Sequence, residues 1–134
     1  MGRKIFPVIL VVALLFSGCV NREVQPAVRV VTQVDVACRR QGEALQRSYV
    51  HRQKIQKVLN YLRLLELRGP TNSDPEAIGG NAYEITVHFS WGAPTVYYQR
   101  CERFLSKNRH PWQKIYSQNA GELYSIVEDM PTDV

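Results

Sequence analysis

The sequence predicts an α+β fold in which an antiparallel sheet of four to five strands packs with one longer amphipathic helix and a short C-terminal helix. Two patterns support this class. Residues 83–89 alternate between apolar and polar side chains, as in a strand with one buried face. Residues 51–68 repeat apolar side chains at helical spacing and carry basic side chains on the other side. Because short turns connect the predicted strands, we expect hairpins and an antiparallel sheet.

The first predicted element is a hairpin of residues 28–40 and 44–50. One face of its first strand holds alternating, mostly β-branched side chains, namely Val30, Thr32, Val34, Val36 and Cys38. Residues 41–43 supply the turn. The same region also fits a single long helix beginning at Asp35, but Gly42 and the density of valines favour the hairpin.

Residues 51–68 form the clearest predicted helix. Its apolar stripe consists of Ile55, Val58, Leu59, Leu62 and Leu65. Gly69-Pro70 ends it, because glycine suits the residue after a helix and proline cannot continue one. We interpret it as a core helix lying on the sheet. A membrane-surface or partner-binding helix with a cationic face is the alternative.

Residues 71–81 are rich in turn-forming residues and predict a connecting loop. Asp74 and Glu76 supply two carboxylates there, but calcium sites need more oxygen ligands than these. The three histidines are scattered along the chain, and no zinc spacing is present. We therefore expect neither a metal site nor a cofactor.

The second half of the chain is predicted to complete the sheet. Its expected strands are residues 83–89, 95–103, 104–105 and 112–115, with turns at 91–94 and 107–111. Tyr83, Ile85, Val87 and Phe89 are expected to point inward, and Glu84, Thr86 and His88 outward.

Residues 117–129 are predicted to close the domain as a helix that Pro131 terminates. Asn119 and Glu122 have the spacing of a capping pair. The inward positions of this helix are Leu123, Ile126 and Val127.

The N-terminus carries a targeting pattern. Arg3-Lys4 precedes an uncharged apolar run at residues 5–16, which is too short to span a bilayer as a stable helix. The run LLFSGC at residues 14–19 then resembles the lipobox of bacterial lipoprotein signals. In that family the cysteine receives diacylglycerol and becomes the first residue after cleavage, and Phe16 departs from the usual leucine. The resemblance implies a signal peptide at residues 1–18, lipidation of Cys19 and an extracytoplasmic protein anchored to the cell membrane.

Composition sets further bounds. The chain after the signal keeps 15 of the 17 basic residues against 12 acidic residues, a net charge of +3. This weak bias, without a basic stripe with interleaved aromatic residues, argues against nucleic-acid binding. Residues 19–27 read as a short tether, which leaves residues 28–134 as a single domain.

Lipidation of Cys19 would leave Cys38 and Cys101 as an even pair. In an extracytoplasmic compartment the two thiols can form a disulfide, which would close a long loop and stabilise the fold. Two buried free thiols are the alternative, since free cysteine behaves as a small apolar residue.

No catalytic motif is present: the chain lacks a nucleophile elbow, a phosphate-binding glycine loop and an evident pair of catalytic carboxylates. The candidate binding surface is aromatic and consists of Trp91, Tyr97, Tyr98 and Trp112, although these rings also suit the core. We expect a non-enzymatic envelope lipoprotein that binds a protein or a cell-wall polymer. The alternative is an enzyme, or an enzyme accessory or inhibitor, at the envelope, with a site assembled from residues such as His88 and Glu102.

Most of the predicted domain also shows a second likeness. Its matching stretches are residues 58–65, 83–87, 98–100, 112–115 and 130–131. These resemble small secreted or lipid-anchored proteins of clostridial bacteria. The matching residues are structural in character, so the resemblance implies no site residues.

Overall fold

The computed structural model describes residues 28–133, which form a seven-stranded antiparallel sheet and three α-helices. In chain order the elements are β1 (Val31–Arg40), β2 (Glu43–Tyr49), α1 (Arg52–Arg63), β3 (Leu67–Pro70), α2 (Pro75–Ile78), β4 (Ala82–Phe89), β5 (Thr95–Arg100), β6 (Phe104–Lys107), β7 (Gln113–Ile115), a 3₁₀ helix (Gln118–Glu122) and α3 (Leu123–Glu128). The α+β class is confirmed. The predicted signal, the tether and Cys19 lie outside the described residues.

The sheet is larger than the four to five strands that the sequence predicted. Its order is β2-β1-β4-β5-β6-β7-β3. The hairpins β1–β2 and β4–β5 and the short hairpin β6–β7 are confirmed. Six of the seven strands fall in segments that the sequence predicted as strands, and the seventh, β3, pairs with β7 at the far edge.

The prediction of a helix over residues 51–68 was wrong at its C-terminal end. The helix α1 stops at Arg63, where the Leu64 N–H donates to the Asn60 carbonyl at 3.0 Å and the Leu65 N–H donates to the Leu62 carbonyl at 3.2 Å. Leu67 then pairs with Ile115, so backbone pairing with β7 prevails over helical spacing in this segment. Within residues 28–133, no helix is long and apolar enough to span a membrane.

The main core lies between one face of the sheet and the helices α1 and α3. Direct pairing of Val34 with Val87 and of Val36 with Ile85 joins β1 to β4 through buried side chains. The helices contribute Ile55, Val58, Tyr61, Leu123, Tyr124 and Val127 to the same cluster. The inward positions predicted for β4 are confirmed, with Phe89 half-buried at its end.

A buried polar group joins the main core to a smaller apolar cluster of Leu105, Ile115 and Ala120. The Tyr61 hydroxyl donates to Gln99 Oε1 at 2.6 Å, and the Gln99 amide donates to the carbonyl oxygens of Ala120 and Cys101, each at 3.1 Å. Burial raises the pKa of Tyr61 well above its usual range, so the hydroxyl remains a donor. The group ties α1, β5 and the 3₁₀ helix together.

The C-terminal helix is shorter than predicted. Residues 118–122 form a 3₁₀ helix, and only Leu123–Glu128 is α-helical. Asn119 and Glu122 do not form the predicted capping pair; Asn119 Nδ2 instead lies 3.5 Å from the Tyr61 carbonyl oxygen. Leu123 and Val127 are buried as predicted, and Ile126 is half-buried against the core.

Cys38 and Cys101 are free thiols in the structure. Cys38 lies on β1 and Cys101 directly follows β5, with β4 between the two strands. Strands two positions apart in a sheet are separated by about 10 Å, whereas bonded cysteines have Cα atoms within about 7 Å. Both thiols are therefore free in the structure, but only Cys38 is buried, so the expected alternative of two buried free thiols holds for Cys38 alone.

The two thiols should differ strongly in reactivity. Cys38 is buried, and desolvation raises the pKa of its thiol to about 12, whereas Cys101 is half-exposed. In the native protein we expect a thiol reagent at neutral pH to modify Cys101 quickly and Cys38 only after unfolding. Mass spectrometry of the labelled protein measures this. The Cys101→Ser variant should lose the fast reaction, and equal labelling of both thiols, or a Cys38–Cys101 disulfide, would contradict the structure.

Candidate binding surface

The outer face of the sheet, opposite the helices, is accessible to solvent over β1, β2 and β4, where its side chains are exposed or half-buried. We call this region the open face and define it by the side chains Asp35, Ala37, Gln46, Ser48, Glu84 and Thr86. The register explains its composition, because Ala37 pairs with both Gln46 and Glu84, and Asp35 pairs with both Ser48 and Thr86. Residues paired directly across a sheet point to the same side.

Small side chains leave two shallow depressions in the open face. One has a volume of about 270 Å³ and is lined by the residues that define the face. The second has a volume of about 180 Å³ and extends toward Ala44, Ala82 and Arg100. Both contain Ala37, Gln46 and Glu84, so they form one continuous surface.

Charges of both signs border these depressions. Glu84 is exposed and forms no ion pair with any of residues 28–133. Arg39 and Arg100 lie at the margin of the smaller depression. The Glu84 carboxylate is therefore available to pair with a charged group of another molecule.

A hydrogen-bonded cluster lies at the end of the open face. His88 Nε2 and Asp35 Oδ2 are 2.8 Å apart, and Gln33 Nε2 donates to Asp35 Oδ1 at 2.8 Å. Partial burial of Asp35 would raise its pKa, but hydrogen bonds from Gln33, Ser48 and His88 outweigh this and lower it. Asp35 therefore stays ionised and orients the His88 ring.

The structure divides the four aromatic residues of the sequence prediction among three places. Tyr98 lies on the outer face of β5, where it pairs with Glu84, and the Arg109 guanidinium is 4.6 Å from its ring. Trp112 precedes β7, and its ring is 5.7 Å from the Arg100 guanidinium. Tyr97 points to the inner face and packs against both apolar clusters.

Trp91 lies in the turn between β4 and β5, at an end of the sheet. Arg29 packs against it, with the guanidinium 5.6 Å from the Trp91 ring and 3.8 Å from the Phe89 ring. Arg29 Nη1 also donates to the Ala93 carbonyl at 3.0 Å. Trp91 is half-buried, and no described residue accepts a hydrogen bond from its indole Nε1.

His88 and Glu102, named as an alternative catalytic pair, are not brought together. Glu102 accepts a hydrogen bond from the Tyr83 hydroxyl at 3.1 Å, near the start of β4 on its inner face. His88 lies five residues further along the strand, about 17 Å away at 3.3 Å per residue, on the outer face. Among residues 28–133, no three His, Cys, Asp or Glu side chains are grouped as metal ligands.

Sequence reasoning placed several open-face residues on the correct side of their strands but did not assemble them. Alternation predicted Glu84, Thr86 and His88 as outward. It did not predict that β1 pairs with β4, which brings Asp35 against His88. A clue was present in the polar positions of the first strand, which alternate in the same way as those of β4.

No protein-family model, no curated protein and no solved structure matches this chain. The geometry of the described residues and the N-terminal pattern therefore supply the argument for function.

Proposed function

We propose that this chain is a non-enzymatic lipoprotein of the cell envelope that binds another protein through the open face. Acyl chains on Cys19 would hold it to the extracytoplasmic side of the membrane. The observation that carries the proposal is a sheet face that no helix within residues 28–133 covers, where small side chains leave room beside Glu84, a carboxylate without an ion-pair partner among the same residues.

A protein partner fits this surface better than a wall polymer. The open face combines Asp35 and Glu84 with Arg39 and Arg100 at its margin, so it complements a partner that carries both signs of charge. A polymer would favour aromatic rings aligned on one face, and the four predicted rings are divided between two faces and an end. The depressions are also shallow, as in protein interfaces.

Site-specific photocrosslinking in the producing cell tests this proposal. A photoreactive amino acid at Ala44, an exposed position on the open face, should form one discrete adduct with a protein. The same amino acid at Ser125, which is exposed on α3 behind the sheet, should form none. Glu84→Lys should abolish the Ala44 adduct, because it reverses the charge at the centre of the face.

The alternatives give different results. An Ala44 adduct that muramidase digestion releases would assign a wall polymer instead of a protein. Equal crosslinking from Ala44 and Ser125, or an adduct unaffected by Glu84→Lys, would contradict specific binding at the open face. Far-UV circular dichroism of Glu84→Lys confirms that the variant is folded.

One observation favours the alternative of an enzyme or enzyme accessory at the envelope. The pair Asp35–His88 has the geometry of a carboxylate that orients an imidazole, and both side chains are partly exposed. An enzyme would also need a nucleophile or bound water within reach of the free ring nitrogen. Hydrolysis of an envelope substrate that His88→Ala abolishes would favour this alternative.

A further inference from the structure

We propose that one end of the domain is a membrane-binding site for the surface of an anionic lipid bilayer. This region, the entry end, consists of Val28, Arg29 and Val30, the start of α1, and the turn between β4 and β5. The proposal rests on the lipid anchor at Cys19 proposed above. It adds which surface of the domain faces the bilayer.

Hydrogen bonds and strand pairing bring the parts of the entry end together. The Ser90 amide donates to the Val30 carbonyl at 2.8 Å, and the Val30 amide is 3.2 Å from Ser90 Oγ. Val30 and Val50 line a common depression of about 420 Å³ together with Arg52. Residues far apart in the chain therefore form one surface here.

This surface exposes three apolar side chains. Val28 is 74% exposed, Val30 58% and Val50 43%. A lipid surface would remove these side chains from water, and each buried methylene favours such binding. The other large exposed apolar side chains of the described chain are Leu64, Leu67 and Tyr116, which lie toward the C-terminal end of α1.

Basic side chains lie at the same end of the domain. Those at this end of the sheet and in the first turn of α1 are Arg29, Arg52, Lys54, Lys107 and Arg109. The acidic side chain beside the start of α1 is Asp133, and it is already bonded to His51 at 2.8 Å and to the Val50 amide at 2.8 Å. Cations at the same end as an apolar patch complement anionic headgroups.

The chain itself would bring this end to the membrane. Residues 20–27 separate Cys19 from Val28 and span at most about 26–29 Å when extended. Leu64 lies about 18 Å further away along α1, so the second apolar patch is less accessible to the bilayer. The strand β1 leads away from the entry end, which leaves the open face free for a partner.

Tryptophan quenching in vesicles tests whether the entry end binds the membrane. The full chain with Trp112→Phe keeps Trp91 as its only tryptophan. This protein, purified from membranes, is reconstituted into vesicles of phosphatidylglycerol and phosphatidylcholine with brominated acyl chains. We expect it to sediment with the vesicles and to lose Trp91 emission relative to unbrominated vesicles, with a larger loss at higher phosphatidylglycerol content.

Matched variants distinguish membrane binding by the entry end from attachment through the lipid anchor. Val28→Asp combined with Val30→Asp should restore Trp91 emission while the protein still sediments, and Leu64→Asp should leave the quenching unchanged. A protein that sediments without quenching would contradict membrane binding by the entry end and would agree with the lipid anchor. A protein that carries no acyl chains and does not sediment would contradict both the lipid anchor and membrane binding by the entry end.

Discussion

The substitution Ile85→Ala should lower the free energy of unfolding by about 2–5 kcal/mol. Ile85 is 1% exposed and lies at the centre of β4, where it pairs with Val36 on one side and Tyr97 on the other. Removal of three methyl or methylene groups there leaves a cavity that the neighbouring strands cannot fill by relaxing. Urea denaturation, followed by circular dichroism, measures the change.

Thr86→Ala is the matched control, because Thr86 is the next residue of the same strand and points to the outer face. We expect it to change the free energy of unfolding by about 0.5 kcal/mol or less. A shift of register by one residue would exchange the two faces. A larger effect for Thr86→Ala than for Ile85→Ala would therefore contradict the described register of β4.

The second large effect is expected at Tyr61. Tyr61→Ala should lower the free energy of unfolding by about 3–5 kcal/mol, because it creates a cavity and removes a buried donor. Tyr61→Phe isolates the hydrogen bond. It leaves Gln99 Oε1 without the hydroxyl that donates to it at 2.6 Å, and the Gln99 side chain is only 1% exposed. The loss should lower the free energy of unfolding by about 1–3 kcal/mol.

Tyr116→Phe provides the control for Tyr61→Phe, since Tyr116 is 64% exposed. The same chemical change there should have little effect on stability. Thermal or urea unfolding of both variants gives the comparison. If Tyr61→Phe were as stable as Tyr116→Phe, the polar link between α1 and β5 would not contribute to the folded state.

Elements with a strong local pattern could be predicted from the sequence. The strand β4 was correct because its apolar and polar residues alternate without interruption, and one face is buried. The hairpin β1–β2 was correct because Gly42, at a φ of 76°, adopts a turn conformation that suits glycine. In these elements the local preference agrees with the tertiary packing.

Elements that depend on distant partners could not be predicted. The strand β3 pairs with β7 across more than forty residues, and its first two residues lie within the segment 51–68 that the sequence predicted as a helix. The same limit applies to the sheet order, in which β4 pairs with β1 and not with β3. Local periodicity carries no information about which strand will lie next to which.

The candidate surface was only partly accessible to sequence reasoning for the same reason. The sequence predicted an aromatic binding surface, but Tyr97 points to the core and Trp91 lies at the entry end. The open face instead depends on the alanines Ala37, Ala44 and Ala82, whose small side chains leave the depressions. Their positions become informative only when the pairing of β2, β1 and β4 is known.

The intact mass of the protein extracted from membranes tests the central claim most directly, that a lipid anchor holds this domain at the envelope. We predict a mass that corresponds to residues 19–134 with a diacylglycerol-linked cysteine, and the loss of this modification in Cys19→Ala. Digestion should assign the added mass to the peptide that begins at Cys19. An uncleaved or unacylated chain would contradict the proposal of a lipoprotein and remove the basis for a membrane-anchored binding module.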